Sequence, residues 1–280
     1  MQQLNPTPTH CKSIKRYFKE KYKPLKLQLL KLGIGNPIKK RRLKLSALVN
    51  ALFNSTVAYG PFKGLKLSDN AWRGDADRPS MLLGLYEQEV LHSLINVPAT
   101  YKTFIDLGAA DGYYGIGVLV NNHFDRSYCF ELSEKGQEVI RRNAELNAVS
   151  SKLTVYGKAE RDFFKHLPAN QLSTSVLLVD IEGGEFNLLN ADLFNVLKDT
   201  IIIIELHPWL VEDGGYRLAK LKSEASINFD ITEITMTSRD LSKFPELSSF
   251  NDSDRWLICS EGRKQLMTWY RLDPKSKLIN

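Results

Sequence analysis

The sequence of 280 residues predicts an α/β domain that is built on a mostly parallel sheet with helices on both faces. Two patterns support this prediction. From residue 101 onward, short apolar runs alternate with stretches of helical periodicity, as in repeated β-α-β units. The apolar runs are also nearly continuous, which is typical of strands that are buried on both faces.

The predicted elements follow one another at regular intervals. Strands are expected at Thr103–Leu107, Ser127–Glu131, Lys152–Tyr156, Ser175–Asp180, Thr200–Glu205, Asp230–Thr237 and Arg255–Ser260. Helices are expected at Tyr114–Asn121, Glu134–Asn147, Glu160–His166, Glu185–Leu197 and Gly214–Ser226. We expect the last strand to run antiparallel to its neighbours. An earlier helix, which holds Tyr86 and Glu87, either covers a pocket or only packs against the domain.

The composition excludes several classes of protein. Hydrophobic residues make up 43% of the chain and charged residues 25%, which excludes collagen, a coiled-coil rod and a wholly disordered chain. No apolar run reaches the roughly 18 residues of a membrane span, and Met1–Lys12 lacks the apolar core of a secretory signal. Three scattered cysteines, Cys11, Cys129 and Cys259, favour a reducing compartment. We therefore expect a cytoplasmic protein, with a peripheral membrane contact left open.

Positive charge is concentrated at the start of the chain. Residues 1–45 contain thirteen Lys and Arg and one acid, Glu20, a net charge of +12, whereas the remainder has 25 basic and 31 acidic residues, a net charge of −6. Because the charge is local, we do not expect a nucleic-acid-binding face across the domain. Residues 12–44 either form solvated helices or contact a membrane surface or polyanion.

These observations predict two regions. Residues 1–60 would form a basic, helical N-terminal extension, and residues 61–280 the main domain. Within that domain we distinguish a lead-in segment (61–100), a core (101–260) and a tail (261–280).

The strongest local pattern is the segment Phe104–Gly115. A strand ends near Asp106, a loop of small residues follows with Gly108 and Gly112, and a helix begins. Glycines let a ligand approach the backbone closely, and the amides at a helix start suit a carboxylate or phosphate. Glu131 ends the next strand, 25 residues after Asp106, where a carboxylate can accept hydrogen bonds from the hydroxyls of an unphosphorylated ribose.

These residues carry a resemblance to a known family. Asp106–Gly115, Glu131 and Arg141–Asn147 resemble the start of a class I S-adenosylmethionine-dependent methyltransferase. Val179–Glu185 reads V-D-I-E-G-G-E and resembles the D-x-E-G-x-E signature of the FkbM-type family, and Ile203–Pro208 resembles the strand that follows. The resemblance covers about residues 80–240. It implies a Rossmann-like fold with a seven-stranded sheet, S-adenosylmethionine as the cofactor, and methylation of a hydroxyl of a small molecule or sugar.

The resemblance also implies roles for individual residues. Glu131 would hold the ribose, Ala159 and Glu160 would lie near the adenine, and Asp180 would face the cofactor or the acceptor. The methionine part of the cofactor would lie on the loop residues Asp106, Gly108, Ala109, Asp111 and Gly112. An N-D-P-P-Y-type motif of base-modifying enzymes is absent, so we expect a small-molecule or saccharide acceptor and not nucleic acid.

Two pairs of polar residues are candidates for catalysis. Asp180 and Glu182 are two residues apart, as are Glu205 and His207, and residues at this spacing in extended chain point to the same side. If the fourth and fifth strands are neighbours, these four groups converge. His207 is a candidate proton acceptor because imidazole titrates near neutral pH. A carboxylate base, and a purely structural His207, stay open.

Other functions remain as alternatives. Carboxylates with a histidine also suit Mg²⁺ or Mn²⁺, but such pairs are common by chance and we assign no metal ligands. The acceptor could instead be a protein, lipid or nucleic acid that the basic arm recruits. A cofactor-binding scaffold without turnover is the remaining alternative.

Overall fold

The computed structural model describes residues 36–69, 71–72, 74–168 and 170–275. The chain divides into two compact units, Met1–Lys44 and Leu45–Asn280. The predicted domain boundary near residue 60 falls within the second unit, and residues 12–35 of the predicted basic segment lie outside the described residues.

Helix α1 (Pro37–Leu52) begins next to an asparagine that caps it. The Asn36 Oδ1 atom accepts hydrogen bonds from the amides of Ile38 and Lys39, at 3.1 and 3.2 Å. These bonds satisfy amides that have no partner within the first turn. Proline at the first helical position also favours a helix start here.

A seven-stranded sheet forms the centre of the second unit. Its strands are β1 (Thr103–Leu107), β2 (Arg126–Phe130), β3 (Leu153–Tyr156), β4 (Ser175–Val179), β5 (Ile201–Glu205), β6 (Phe229–Thr235) and β7 (Thr268–Pro274). Their order is β3-β2-β1-β4-β5-β7-β6. Strands β1 to β5 pair in parallel, and β7 is antiparallel to both β5 and β6. The predicted mostly parallel, Rossmann-like sheet is confirmed.

The central strands are covered on both faces. Every residue of β1, β4 and β5 is buried. The buried apolar residues form two hydrophobic clusters. Neighbouring residues of β1 pack into different ones, because Phe104 belongs to the first cluster and Ile105 to the second. This arrangement explains why the strands appear in the sequence as continuous apolar runs.

The helices agree with the predicted periodicity in most places. They are α2 (Arg78–Leu82), α3 (Gln88–Ile95), α4 (Tyr113–Val120), α5 (Glu134–Leu146), α6 (Glu185–Leu188), α7 (Ala191–Val196), α8 (Gly214–Ala225) and α9 (Asp252–Cys259). The single helix predicted at Glu185–Leu197 is two helices, because Asn190 accepts a hydrogen bond from the Leu193 amide at 2.9 Å and starts a new one. The helix predicted at Glu160–His166 is a short 3-10 helix, Phe163–His166.

The predicted last strand at Arg255–Ser260 is wrong. This segment belongs to α9, which the Asn251 side chain caps by accepting a hydrogen bond from the Asp254 amide at 2.9 Å. Asp254 and Ile258 are buried four residues apart, the spacing of one helix face. The antiparallel strand is β7, which lies in the predicted tail and buries Trp269 completely. In the described part of the chain, no helix has the length and apolar character that a membrane crossing requires.

A close contact between α4 and β2 gives a test of the packing. A Cβ atom on Gly115 would overlap the Cys129 sulfur and lie 3.2 Å from the Ser127 hydroxyl. Alanine is the better helix former by about 1 kcal/mol, but overpacking a core costs about 1–3 kcal/mol. We therefore expect Gly115→Ala to lower the free energy of unfolding by about 1 kcal/mol or more, measured by urea denaturation.

Gly215→Ala is the matched control, because nothing lies within 4 Å of a Cβ atom at that position of α8. We expect its stability to be unchanged or slightly raised. Equal effects of the two substitutions would contradict the packing of α4 on β2.

Candidate cofactor and active site

Two cavities lie at the carboxyl ends of the central strands. The first has a volume of about 370 Å³ and the second about 530 Å³. Gly108, Asp180 and Glu182 line both cavities, so the two meet where β1 and β4 end. The strand order reverses at β1, and open α/β sheets bind ligands at such a switch point.

The second cavity contains the residues predicted for the nucleoside part of the cofactor. Glu131, Ala159 and Glu160 all line it. The Glu131 side chain accepts hydrogen bonds from the amides of Ala110 and Ser133, at 2.9 and 2.8 Å. Each carboxylate oxygen has a second lone pair, so Glu131 can hold the loop after β1 and still accept ribose hydroxyls.

The first cavity contains most of the residues predicted for the methionine part. Asp106, Gly108, Ala109 and Asp111 line it, whereas Gly112 lies outside both linings and caps the start of α4. The Asp111 side chain accepts a hydrogen bond from the Trp72 amide at 3.0 Å. It therefore holds the segment before α2 next to the loop.

Gly108 makes the junction of the two cavities possible. Its φ of 93° lies in the left-handed region, and a Cβ atom there would overlap the carbonyl oxygen of Asp180. The Asp180 amide donates to the carbonyl of Leu107 at 2.9 Å. A side chain at residue 108 would therefore force the ends of β1 and β4 apart.

Asp106 is buried with part of its hydrogen-bonding capacity unused. The side chain is 2% exposed, and its Oδ2 atom has no hydrogen-bond partner among the described residues. Burial, together with the nearby Asp180 carboxylate, raises the pKa of Asp106 to about 8. The carboxyl group therefore holds its proton at neutral pH, before any cationic ligand enters.

Glu185, the last residue of the D-x-E-G-x-E segment, connects the turns after β4 and β5. Its side chain is fully buried. It accepts hydrogen bonds from the amides of Gly183 and His207, at 2.8 and 2.9 Å. The His207 Nδ1 atom also lies 3.2 Å from it, within hydrogen-bond distance. The sequence analysis quoted this glutamate but gave it no role.

The other ring nitrogen of His207 faces a group of carboxylates. Its Nε2 atom lies 3.7 Å from both Asp180 and Glu182 and 3.9 Å from Glu205. The structure thus brings together the four groups that the sequence analysis singled out at the ends of β4 and β5. Burial lowers the pKa of His207, but the hydrogen bond with Glu185 and the charge of Asp180 outweigh it and raise the pKa overall.

Three of these groups have donor atoms close enough to share a metal ion. Ligand atoms of Asp180, Glu205 and His207 lie within 4.8 Å of one another. However, the Arg263 guanidinium already donates to Glu205 at 2.7 Å. A metal ion would have to compete with this arginine for the carboxylate, so we keep the assignment without metal ligands.

A buried ion network next to the first cavity was missed by the sequence analysis. Arg263 donates to Glu87 and to Glu261, the latter at 2.7 Å, and the Tyr114 hydroxyl donates to Glu87 at 2.7 Å. Burial raises the pKa of Glu87 to about 7, although Arg263 opposes this shift. Glu87 comes from the predicted lead-in and Arg263 from the predicted tail, so no local pattern in the sequence could pair them.

Comparisons with known proteins concern the fold. No protein-family model matches the sequence, and no curated protein matches it. The chain is similar to M. capricolum TrmK in complex with S-adenosyl-homocysteine, with 13% identity and a TM-score of 0.40 over 66% of this chain and 67% of that one. A Streptococcus pneumoniae protein described as a putative tRNA (m1A22) methyltransferase has 12% identity and a TM-score of 0.43, over 66% and 69% of the chains. The METTL16 MTase domain has 17% identity and a TM-score of 0.49, over 83% and 96%.

The sheet order, with its antiparallel β7, confirms the predicted Rossmann-like fold. Its structural neighbours include methyltransferases, and one of them binds the product of the predicted cofactor. Methyltransferase activity and S-adenosylmethionine as the cofactor stay predictions for this chain. The finer resemblance to the FkbM-type family stays a prediction, because no family model matches.

The predictions about the acceptor are corrected. The sequence analysis predicted the hydroxyl of a small molecule or saccharide and kept a nucleic acid only as an alternative, whereas the Streptococcus pneumoniae neighbour is described as a putative tRNA (m1A22) methyltransferase. The physical reason is that loops and surfaces around a shared fold select the acceptor. The absence of one local motif therefore does not exclude a nucleic acid.

The first prediction for this site concerns the ribose contact. Glu131→Gln removes a charged acceptor at nearly constant shape, and hydrogen bonds to charged groups contribute roughly 1.5–3 kcal/mol. We expect the affinity for S-adenosylhomocysteine to fall about tenfold or more in calorimetric titrations. Glu138→Gln, an exposed position of α5, is the control and should bind as the unmodified protein does. Unchanged affinity of Glu131→Gln would remove this residue from the cofactor site.

The second prediction concerns the proton on Asp106. Since its pKa of about 8 lies above the ordinary value of 3.8, the folded state binds the proton more tightly than the unfolded state does. Its contribution to stability is therefore complete below about pH 4 and is lost as the pH rises toward 8. Asp106→Asn cannot ionise, so its stability relative to the unmodified protein should rise by about 3–4 kcal/mol between pH 5 and pH 8.

Urea denaturation at the two pH values measures this difference. Asp125→Asn, at an exposed position just before β2, should show no such change with pH. If Asp106→Asn behaves like this control, Asp106 is ionised in the folded protein at pH 5.

Proposed function

We propose that this protein is an S-adenosylmethionine-dependent methyltransferase whose acceptor is a base of a nucleic acid. The basic segment of residues 12–44 would bind the phosphate backbone. The joined cavities at the ends of β1 and β4 support the cofactor part of the proposal. The separation of charge along the chain is the observation that carries the acceptor part.

The cofactor would occupy the two cavities in one orientation. Its ribose would lie at Glu131 and its adenine near Ala159 and Glu160, in the second cavity. Its methionine part would lie in the first cavity, along the loop that follows β1. The sulfonium would then lie near the residues that both cavities share, where Asp180 and Glu182 supply negative charge.

The lining of the first cavity favours a nucleobase over a phosphate. Tyr86, Tyr113 and Tyr114 provide aromatic surface, and Asp180 and Glu182 provide hydrogen-bond acceptors. A base offers a flat face for stacking and N–H groups for such acceptors. These carboxylates would repel a phosphate.

The phosphates would instead be bound by the basic segment. Residues 1–45 carry a net charge of +12, against −6 for the remainder of the chain. Contacts between basic side chains and phosphates dominate the affinity for nucleic acids and carry no sequence information. The chain thus has one region suited to the backbone and another suited to a base.

The chemistry requires alignment and a proton acceptor. The bond between methyl carbon and sulfur breaks as the bond between methyl carbon and base nitrogen forms, which yields S-adenosylhomocysteine. The proton of that nitrogen would pass to a carboxylate, and Asp180 and Glu182 are our candidates for this role. His207, whose Nε2 atom lies 3.7 Å from both carboxylates, would hold them in position.

A methyl-transfer assay tests the proposal. The full chain is incubated with radiolabelled S-adenosylmethionine and unmodified transcribed tRNA, and the label in RNA is counted. The test variant replaces Lys39, Lys40, Arg41 and Arg42 by Gln, and the control makes the same replacement at the exposed Lys165, Lys198, Lys220 and Lys243. We expect the test variant to lose RNA affinity and to show a salt dependence that is smaller by about 3 in the log–log slope.

The control variant should bind RNA nearly as the unmodified protein does. Equal losses of RNA affinity in both variants would show that RNA binding depends on the total positive charge of the protein. That result would contradict a specific role for the basic segment. Absence of label in RNA and in single-stranded DNA, with the cofactor bound, would contradict the nucleic-acid acceptor.

A further inference from the structure

We propose that Arg78 binds the α-carboxylate at the amino-acid end of the cofactor. This inference deepens the proposed function and rests on its cofactor part. Arg78 is the first residue of α2, in the segment that precedes the sheet. Neither the sequence patterns nor the resemblance singled it out.

The guanidinium of Arg78 is buried, and one of its nitrogens makes no hydrogen bond to the described residues. The residue is 6% exposed, and its Nη2 atom donates to the carbonyl of Ser68 at 2.7 Å and lies 3.7 Å from an Asp75 oxygen. Its Nη1 atom is buried and has no hydrogen-bond partner among the described residues. A buried donor of a charged group is costly to leave unpaired, so this nitrogen is suited to a ligand.

Arg78 lines the first cavity together with the loop that follows β1. Among the described residues of that lining, it is the one basic side chain. The acidic residues of the lining are Asp77, Asp106, Asp111, Asp180 and Glu182. In its described part, the cavity thus combines the Arg78 guanidinium with a largely acidic wall.

This distribution of charge matches the amino-acid end of S-adenosylmethionine. The ammonium and the sulfonium are positive and suit the carboxylates of the wall. The carboxylate of the ligand is negative and would be repelled by that wall unless a cation meets it. A guanidinium suits a carboxylate in particular, because its planar fork can donate two parallel hydrogen bonds.

A chain of hydrogen bonds connects Arg78 to the loop. The Ser68 carbonyl accepts from Arg78, and the Ser68 amide donates to the Asn143 side chain at 2.9 Å. The Asn143 amide group in turn donates to the Asp111 carbonyl at 2.9 Å. These contacts fix the guanidinium relative to the loop. Burial lowers the pKa of Arg78, while Asp75 and Asp111 oppose the shift.

Three ligands with different amino-acid ends provide the test. S-adenosylhomocysteine has both the carboxylate and the ammonium, decarboxylated S-adenosylmethionine lacks the carboxylate, and 5′-methylthioadenosine lacks the whole amino-acid end. Each is titrated into the full-length protein and into Arg78→Gln by calorimetry. We expect Arg78→Gln to weaken S-adenosylhomocysteine about 10- to 100-fold, as for loss of charge-assisted hydrogen bonds. The affinities of the other two ligands should change less than about threefold.

Two further variants separate binding from structure. Arg126→Gln is the matched control, because Arg126 is an exposed arginine that also donates to a backbone carbonyl, that of Ser151 at 2.7 Å. It should bind all three ligands normally. Arg78→Lys keeps the charge but not the fork, so it should show an intermediate loss confined to S-adenosylhomocysteine. If Arg78→Gln does not fold, the three ligands are compared with Arg78→Lys instead.

Several outcomes would overturn the inference. Equal losses for all three ligands would mean that Arg78 acts only through the structure of the pocket. Unchanged affinity for S-adenosylhomocysteine with weakened affinity for RNA would make Arg78 a phosphate contact instead. Failure of the unmodified protein to bind S-adenosylhomocysteine would overturn the proposed function itself. Normal binding by both the unmodified protein and Arg78→Gln would overturn this inference alone.

Discussion

The burial of acidic side chains at one edge of the sheet is the constraint on which the site depends. An unpaired buried carboxylate costs several kcal/mol, so each group needs a cation, a set of donors or a proton. Arg263 pairs with both Glu87 and Glu205, amides and a histidine satisfy Glu185, and Asp106 keeps its proton. Five residues at this edge are 5% exposed or less: Glu87, Asp106, Glu185, Glu205 and Glu261.

These pairings also connect distant parts of the chain. Arg263, just before β7, binds Glu205 at the end of β5 and Glu87 in the segment before the sheet. Arg239 joins the same network through Glu89 and Glu261, at 2.6 Å to each. The regions before β1 and after β6 are thereby fixed beside the first cavity. Segments outside the central β-α-β pattern therefore complete the site.

The sequence was sufficient to predict those features that depend on residues close together in the chain. Strands β1 to β5, the small-residue loop and Glu131 all follow from local patterns, and the structure brings them together as predicted. It was insufficient where contacts join remote positions, since Arg263 and Glu87 are 176 residues apart. The segment at Arg255–Ser260 was misassigned because a short apolar run suits a strand or a helix, and the Asn251 cap favours the helix.

The acidic edge also bears on the order of events in the proposed reaction. S-adenosylmethionine is one unit more positive than S-adenosylhomocysteine, because methyl transfer removes the charge of the sulfonium. A site with Asp180, Glu182 and an Asp106 that ionises only beside a cation is therefore complementary to the cofactor before transfer and less so afterwards. The ligand's cationic groups would lower the pKa of Asp106 from about 8, since opposite charge favours ionisation. Binding of the cofactor would then release a proton, and loss of the sulfonium charge would favour its return. The same buried carboxylates that constrain the fold thus link the charge of the cofactor to the protonation state of the site.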